Sequence, residues 1–205
     1  MQNIVLDSGN TSIKVALFKN DTLEWDTHFQ HTEIQKIHKL LLQQDFEHAI
    51  TCSVTPLPAE LMASLDEKAK KHIILGHETP LPIKLNYESL ETLGADRIAL
   101  AAGGHLKYPG ENVLVIDSGT CITYDYVDAR GNYQGGAISP GLDMRYAAID
   151  KFTSKLPRLT LDKDFECHIG KNTHSSIRSG VQNGIVFEIS GFINHFKMVN
   201  NNLKT

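Results

Sequence analysis

The alternation of apolar and polar positions predicts that the chain opens with strands. Residues 4–18 alternate well enough for a hairpin, with Ile13, Val15 and Leu17 on one face of its returning strand. Residues 23–29 offer a third strand after a polar turn. The chain therefore begins as a β-meander.

Helix and strand patterns alternate after this meander. Thr32 and Gln35 fit a capping box at the start of a helix with apolar residues at helical spacing. Residues 49–54 then read as a buried strand, residues 58–71 as a helix opened by a proline, and residues 73–75 as a short strand. This order is typical of a mixed sheet covered by helices.

The second half repeats the opening of the first. A buried, alanine-rich helix is predicted to begin near Asp96. Three strands are predicted after it, at residues 113–116, 122–127 and 133–138. The Ser139-Pro140-Gly141 break then starts a helix that runs to about residue 152, and residues 175–199 are predicted to be mostly helical.

A short acidic phrase ends the first predicted strand of each half. It reads Asp7-Ser8-Gly9-Asn10-Thr11 in the first copy and Asp117-Ser118-Gly119-Thr120 in the second. A single copy is better explained as a plain hairpin turn, because these residue types are frequent in turns. Two copies in matching strand contexts favour a ligand site, and they suggest two related halves facing one ligand.

The composition and the charge of the chain exclude several classes of protein. The 205 residues carry a net charge of −4 with no basic stripe, so no nucleic-acid partner is indicated. No apolar run approaches the ~18 residues of a membrane span, and the N terminus lacks the pattern of a signal peptide. We expect a cytoplasmic protein. Cys52, Cys121 and Cys167 lack the spacing of a zinc site or a disulfide framework and read as reduced thiols.

The doubled phrase supplies what phosphoryl transfer needs, which is phosphates, cation and nucleophile held in line. Gly9 and Gly119 allow a phosphate to approach the backbone closely, while Asp7 and Asp117 can hold cations or their water shells. Lys14 can add a positive charge. The Gly-x-x-x-x-Gly-Lys-Ser/Thr loop of the P-loop kinases is absent.

Asp96 is the candidate base for an acceptor hydroxyl, because its carboxylate lies between a glycine turn and an apolar helix. The alternative is a helix cap, with Arg97 as a surface ion-pair partner. These residues alone do not decide between the two.

Taken together, these segments resemble the type III pantothenate kinases, members of the acetate and sugar kinase/Hsp70/actin superfamily. The resemblance covers most of the chain, and its segments are Asp7 to Thr11 with Lys14, Tyr87, Gly94-Ala95-Asp96-Arg97, Asp117 to Thr120 with Thr123 and Asp125, Gly135 to Gly141, Gly170-Lys171-Asn172-Thr173, and Ser179-Gly180.

The resemblance implies an α/β fold of two actin-like (ribonuclease H-like) halves, each a mixed β-sheet with flanking helices, with the ligand in the cleft between them. We place the halves at residues 1–106 and 107–205. Members of the family usually continue into a further strand, a Gly-Gly turn and a helix, so the second half is expected to be incomplete at its C terminus.

The resemblance also implies ATP-dependent phosphorylation of pantothenate to 4'-phosphopantothenate, the first step of coenzyme A biosynthesis. Asp96 would be the catalytic base. Asp117 would hold a monovalent cation, K⁺ or NH₄⁺, and Asp7 would hold Mg²⁺ directly or through water. The ATP-binding residues would be Asp7, Ser8, Gly9, Asn10, Thr11, Ser12, Ile13, Lys14 and Thr120. The pantothenate pocket would consist of Tyr87, Gly94, Ala95, Asp96, Arg97 and Thr173.

Family members are typically homodimers, and the helix from Ser175 is a plausible element of the subunit contact. Cys121 departs from the small residue that usually follows the Gly-Thr pair, and as a small hydrophobe it should be tolerated.

Two other functions remain open from the residues alone. One is a kinase of another small hydroxylated substrate, against which Tyr87 and residues 94–97 argue. The other is a nucleotide-binding regulator without catalysis, against which Asp96 argues, since a binding module needs no carboxylate beside the acceptor.

Overall fold

A mixed β-sheet forms the framework of each half of the chain. The computed structural model describes residues 1–200 and 202–205, and the chain divides into two compact units, Met1–Gly103 and Gly104–Thr205. The predicted domain boundary after residue 106 stays a prediction.

The sheet of the first unit has the strand order β3-β2-β1-β4-β5. Strands β1, β2 and β3 form an antiparallel meander, and β4 and β5 add to β1 in parallel. The elements are β1 (Gln2–Ser8), β2 (Ile13–Lys19), β3 (Thr22–Phe29), α1 (Ile34–Gln43), β4 (His48–Ser53), α2 (Ala59–Lys68), β5 (Lys71–Ile74), the short strand β6 (Lys84–Leu85) and α3 (Ala95–Lys107).

The core of the first unit lies between one face of this sheet and helices α1 and α2. Ile4 and Leu6 of β1 alternate inward, as strand geometry requires. Ile37 and Leu41 of α1 meet them because residues four apart share a helix face. The opposite face of β1 thereby carries Asp7.

The sheet of the second unit contains strands in the order β10-β7-β8-β9. Strands β7, β8 and β9 are an antiparallel meander, and β10 pairs with β7 in parallel. The elements are β7 (Asn112–Ser118), β8 (Cys121–Val127), β9 (Asn132–Pro140), α4 (Leu142–Phe152), α5 (Thr173–Arg178), a π-helical turn (Ser179–Asn183), α6 (Gly184–Val199) and β10 (Leu203–Lys204).

Helix α6 covers one face of this second sheet. Its Ile189, Phe192 and Ile193 pack against the buried residues of β7 and β8. The ring of Phe192 stacks on that of Tyr124, with centroids 4.0 Å apart. Among the described residues, no helix combines the length and apolarity needed to cross a membrane.

The two sheets share one strand order, β3-β2-β1-β4 in the first unit and β9-β8-β7-β10 in the second. In each, the acidic phrase stands between the first strand of the meander and its antiparallel partner. The predicted fold class, two mixed sheets with flanking helices, is confirmed.

Two details of the predicted elements were wrong. The predicted helix over residues 58–71 ends at Lys68, because Lys71 pairs with His48 and starts β5. The capping box lies at Gln30 and Glu33, where Glu33 Oε2 accepts the N–H of Gln30 at 2.8 Å, and it opens a 3-10 turn (His31–Glu33) ahead of α1 instead of lying at Thr32 and Gln35. The predicted helical segment at residues 175–199 is confirmed, and it contains the π-helical turn.

At Gly136, strand β9 approaches β8 so closely that there is no room for a side chain. A Cβ there would lie 1.6 Å from the carbonyl oxygen of Tyr124, so we expect Gly136→Ala to lower the free energy of unfolding by about 1–3 kcal/mol. Urea unfolding of the purified variant measures this.

Gly191→Ala is the matched control. A Cβ at Gly191 meets nothing within 4 Å on helix α6, so alanine should raise stability by up to about 1 kcal/mol. Equal urea midpoints for the two variants would contradict the proposed backbone contact.

Candidate active site

The first acidic phrase sits where β1 ends and the chain reverses. Strand β1 ends at Ser8, and the N–H of Gly9 donates to the carbonyl of Ser12 at 3.1 Å before β2 begins. The turn is also held from outside, since His31 Nε2 lies 2.9 Å from the carbonyl oxygen of Gly9. The loop of residues 9–12 therefore has a defined conformation with several polar groups at the surface.

Strand pairing places Asp7 between a charged residue and a buried thiol. Lys14 stands directly opposite Asp7 on β2, and Cys52 stands beside it on β4. Facing residues of neighbouring strands project to the same side of a sheet. Lys14 Nζ lies 3.8 Å from Asp7 Oδ2. Because both side chains reach solvent, this pair adds little stability and its charges remain available to a ligand.

Cys52 is a buried thiol that neighbours Asp7 and feels the charge of Asp96. Burial raises the pKa of its thiol to about 12, helped by the negative charges of Asp7 and Asp96 and by a hydrogen bond with the Asp7 carboxylate. The predicted magnesium ligand and the predicted base are therefore both near one thiol. The sequence indicated only a reduced cysteine at this position.

Asp96 lies in the first turn of α3. Its Oδ1 accepts the N–H of Arg97 at 2.8 Å, and a Cβ on Gly94 would lie 2.4 Å from the same oxygen. Glycine at position 94 thus makes room for the carboxylate. The N-terminal end of a helix also favours a negative charge.

Arg97 is a buried residue, with a relative exposure of 6%. Its guanidinium carbon lies 5.9 Å from the centroid of the Tyr87 ring, within the range of a cation–π contact. The surface position that the alternative reading gave to Arg97 was therefore wrong. The structure brings Tyr87 and Arg97 together, as residues of one pocket require.

Two predicted ATP-binding residues direct their side chains into the protein. Ser8 is fully buried, and its hydroxyl shares a hydrogen bond of 3.1 Å with that of Thr55. Ile13 belongs to the apolar core of the first unit. The backbone is the part of these residues suited to contact a ligand.

The second acidic phrase forms a tighter turn than the first. The N–H of Gly119 donates to the carbonyl of Cys121 at 2.9 Å, so residues 119 and 120 alone connect β7 to β8. Gly141 closes against this turn, donating its N–H to Thr120 O at 3.0 Å. A Cβ on Gly141 would lie 2.3 Å from the Gly119 carbonyl oxygen, so only glycine fits there.

Gly141 is also the residue from which α4 starts. The positive end of this helix therefore lies beside the Asp117 turn. Arg145 of α4 fixes it in place, because Arg145 Nη2 lies 2.6 Å from Glu188 Oε2 on α6 and Arg145 Nε donates to the carbonyl of Pro140 at 2.7 Å.

Glu188 connects helix α6 to three other elements of the second unit, α4, β8 and β9. Besides Arg145, its carboxylate accepts the hydroxyls of Ser139 and Tyr124, the latter at 2.8 Å. Burial by itself raises the pKa of Glu188, but the hydrogen bonds from Ser139, Arg145 and Tyr124 outweigh it and hold the pKa below its ordinary value. Sequence reasoning missed Arg145 and Glu188, whose only signal was polarity within mostly apolar helices.

Thr123 and Asp125 follow the turn on β8. Thr123 stands directly opposite Asp117. Asp125 is fully buried, and its Oδ1 accepts the hydroxyl of Tyr133 at 2.8 Å. Both residues belong to the segments that carry the family resemblance, but the sequence assigned neither of them a role.

Thr173 opens helix α5 in the second unit. The preceding Asn172 caps this helix, since its Oδ1 accepts the N–H of Ser175 at 2.9 Å. A Cβ on Gly170 would lie 2.2 Å from the backbone nitrogen of Ser176. The Gly-Lys-Asn-Thr segment is thus a tight helix entry that holds Thr173 in a defined position.

Each unit carries part of the predicted site. Asp7 to Lys14, Tyr87 and residues 94–97 belong to the first unit, and Asp117, Thr120 and Thr173 belong to the second. Within the described residues, no group of three or more His, Cys, Asp or Glu side chains gathers as a metal site.

Comparison with known proteins identifies relatives over nearly the whole chain. A family model described as type III pantothenate kinase matches residues 3–195. The type III pantothenate kinase of Flavobacterium johnsoniae is 40% identical over 196 residues, covering 95% of this chain and 80% of the relative. That of Christiangramia forsetii is 43% identical over 198 residues, with the same coverage.

One solved structure illustrates the fold. The ethanolamine utilization protein EutJ from Carboxydothermus hydrogenoformans superposes with a TM-score of 0.54 at 12% identity, covering 100% of this chain and 75% of that one. At this identity the likeness concerns the fold alone.

The surroundings of Cys52 predict that it resists alkylation. Only the thiolate reacts, and at about pH 8 a thiol with a pKa of about 12 contributes almost none. In the folded protein, we expect iodoacetamide to modify the exposed Cys167 and to leave Cys52 intact, as read by peptide mass spectrometry.

Unfolding in urea is the control, because all the cysteines should then react alike. Equal labelling of Cys52 and Cys167 in the folded protein would contradict the burial of Cys52 beside Asp7.

Proposed function

The chain belongs to the type III pantothenate kinases, and we propose that Asp96 accepts the proton of the pantothenate hydroxyl while the first acidic turn holds the phosphates of ATP. The reaction, ATP-dependent phosphorylation of pantothenate in coenzyme A biosynthesis, follows from membership of the family. The assignment of residues to its steps is our proposal.

One observation carries this assignment. Asp7 stands beside Cys52 in the strand register, and the negative charges of Asp7 and Asp96 both raise the pKa of the Cys52 thiol. A phosphoryl-transfer site needs a cation at the phosphates and a base at the attacking hydroxyl, close to each other. The influence of Asp7 and Asp96 on the same thiol supports these two roles.

Asp7 is proposed to hold Mg²⁺, directly or through water, and Lys14 to neutralise phosphate charge. Mg²⁺ binds in enzymes through one or two carboxylates plus substrate phosphates, which suits a partly exposed carboxylate. The rest of the ATP contacts would come from Ser8, Gly9, Asn10, Thr11, Ser12 and Ile13 of the first turn and from Thr120 of the second.

The proposed pantothenate pocket combines residues at the start of α3 with Thr173. Tyr87 and Arg97 contact each other, and Gly94, Ala95 and Asp96 form the turn into the helix. Arg97 is suited to a carboxylate, because its planar guanidinium matches the geometry of that group. Pantothenate carries a carboxylate and a primary hydroxyl, so Arg97 and Asp96 would recognise its two ends.

Asp117 is proposed to hold the monovalent cation, K⁺ or NH₄⁺. It ends a strand as Asp7 does, but the residue opposite it is the neutral Thr123. Carboxylate and hydroxyl oxygens are the donor types that hard cations prefer. The cation would balance the carboxylate beside the phosphates of ATP.

We further propose that the protein is a homodimer of the cytoplasm, where ATP is available. Helix α6 supports the dimer, since Val186, Phe187 and Met198 on its outer side are exposed apolar residues.

Family membership argues against the two alternative functions, a kinase of another hydroxylated substrate and a regulator without catalysis. A product assay with pantothenate, ATP and Mg²⁺ tests the proposal, run once with potassium and once with sodium. Formation of 4'-phosphopantothenate with potassium is expected. Its absence with every cation would refute the kinase activity of this chain.

Asp96→Asn tests the role of the base. Asparagine keeps the shape of the side chain but accepts no proton, so we expect turnover to fall about a hundredfold or more. ATP affinity, measured by calorimetry, should change little. Full turnover in this variant would refute the base while leaving the kinase assignment intact.

Asp45→Asn is the matched control. Asp45 is exposed and lies outside the proposed site, so the same chemical change there should leave turnover unaltered.

A further inference from the structure

The two acidic turns differ in the residue that faces the aspartate. Strand register sets Lys14 opposite Asp7 and Thr123 opposite Asp117. The two positions are equivalent, because both sheets order their strands in the same way. The first aspartate therefore has a built-in ammonium 3.8 Å away, whereas the second faces a neutral hydroxyl.

That hydroxyl is itself unusual. The relative exposure of Thr123 is 9%, and among the residues that the structure describes its Oγ1 has no hydrogen-bond partner. A buried hydroxyl without a partner lowers stability by about 1–3 kcal/mol, so such groups are rare unless something else binds them. Cross-strand partners project to one side of a sheet, which puts this oxygen on the side of Asp117.

We propose that Thr123 Oγ1 is a ligand of the monovalent cation at Asp117, and that this cation replaces the ammonium that Lys14 supplies to Asp7. This inference rests on the proposed cation site and adds to it the residue that creates the need for a free cation. A threonine oxygen has two lone pairs, so it can accept from a donor or bind a cation. It carries no charge with which to balance Asp117, and a cation can satisfy both side chains.

The comparison of the two turns identifies the residue type opposite the aspartate as the feature that distinguishes a lysine-paired aspartate from a cation-binding one. A lysine opposite the aspartate places a positive charge beside it within the chain, as in the first unit. A threonine leaves an oxygen-lined position that takes up a cation from solution. Position 123 is therefore inferred to set the cation requirement of the enzyme.

Thr123→Val is the first test, since valine keeps the shape of threonine and removes the oxygen. The melting temperature of the protein is measured without substrates in KCl, NaCl and choline chloride at equal ionic strength, which separates specific binding from screening. We expect the half-saturating KCl concentration for stabilisation to rise about tenfold or more, as the loss of one bond to a charged group allows. Thr123→Ser should retain the wild-type response.

Thr51→Val is the matched control. Thr51 is equally a buried strand threonine, but its hydroxyl bonds His72 Nε2 at 2.8 Å. Its replacement should shift the melting temperature in all salts alike and leave the response to KCl unchanged. An unchanged KCl response in Thr123→Val, or a wild-type protein stabilised equally by all three salts, would overturn the proposal.

Thr123→Lys is the more stringent variant. It places a lysine opposite Asp117, as Lys14 stands opposite Asp7. Turnover should therefore become equal in potassium and sodium, and the stabilisation by KCl should disappear. A Thr123→Lys enzyme that keeps the wild-type potassium response would overturn the equivalence with Lys14.

A crystal of the unmodified protein soaked in thallium(I), a potassium analogue, provides a test that needs no variant. We expect an anomalous peak in contact with both Asp117 and Thr123, and a peak at Asp117 alone would refute the role of Thr123. These measurements need no turnover, so failure of the kinase assay and failure of this inference give separate results.

Discussion

The pairing of strand β1 on both of its edges is the constraint on which the candidate site depends. Its antiparallel neighbour β2 brings Lys14 to Asp7, and its parallel neighbour β4 brings Cys52 to the other side. A slip of one residue in either register would turn Asp7 toward the apolar core. That core, in which Ile4 and Leu6 of the sheet pack against α1 and α2, therefore holds the charged groups of the opposite face in register.

Equal backbone topology with unequal side chains explains how one chain can place two aspartates in different roles. Both sheets present an acidic residue at the end of the first strand of the meander, next to a turn that starts with glycine. The first turn is longer and has a lysine opposite its aspartate. The second is tighter, faces a threonine and lies against the start of α4, which Arg145 and Glu188 hold in place.

The strands were predictable because alternation is a local property of the sequence. The meanders at both acidic turns and the helices covering them follow from apolar spacing alone. The errors arose where distant residues compete with local preference. Lys71 follows a helical pattern along the chain but pairs with His48 in the sheet. The capping box forms at Gln30 and Glu33, two residues before the expected Thr32, and opens a 3-10 turn ahead of α1.

The sequence by itself determined the fold class, the family and the identity of the acidic residues at the strand ends. All three can be predicted from short contiguous segments of the chain. Only the tertiary structure decided that Cys52 lies beside Asp7, that Gly141 closes on the second turn, and that Thr123 faces Asp117. These neighbours are distant along the chain. Their proximity is set by sheet register and backbone packing, which local patterns do not encode.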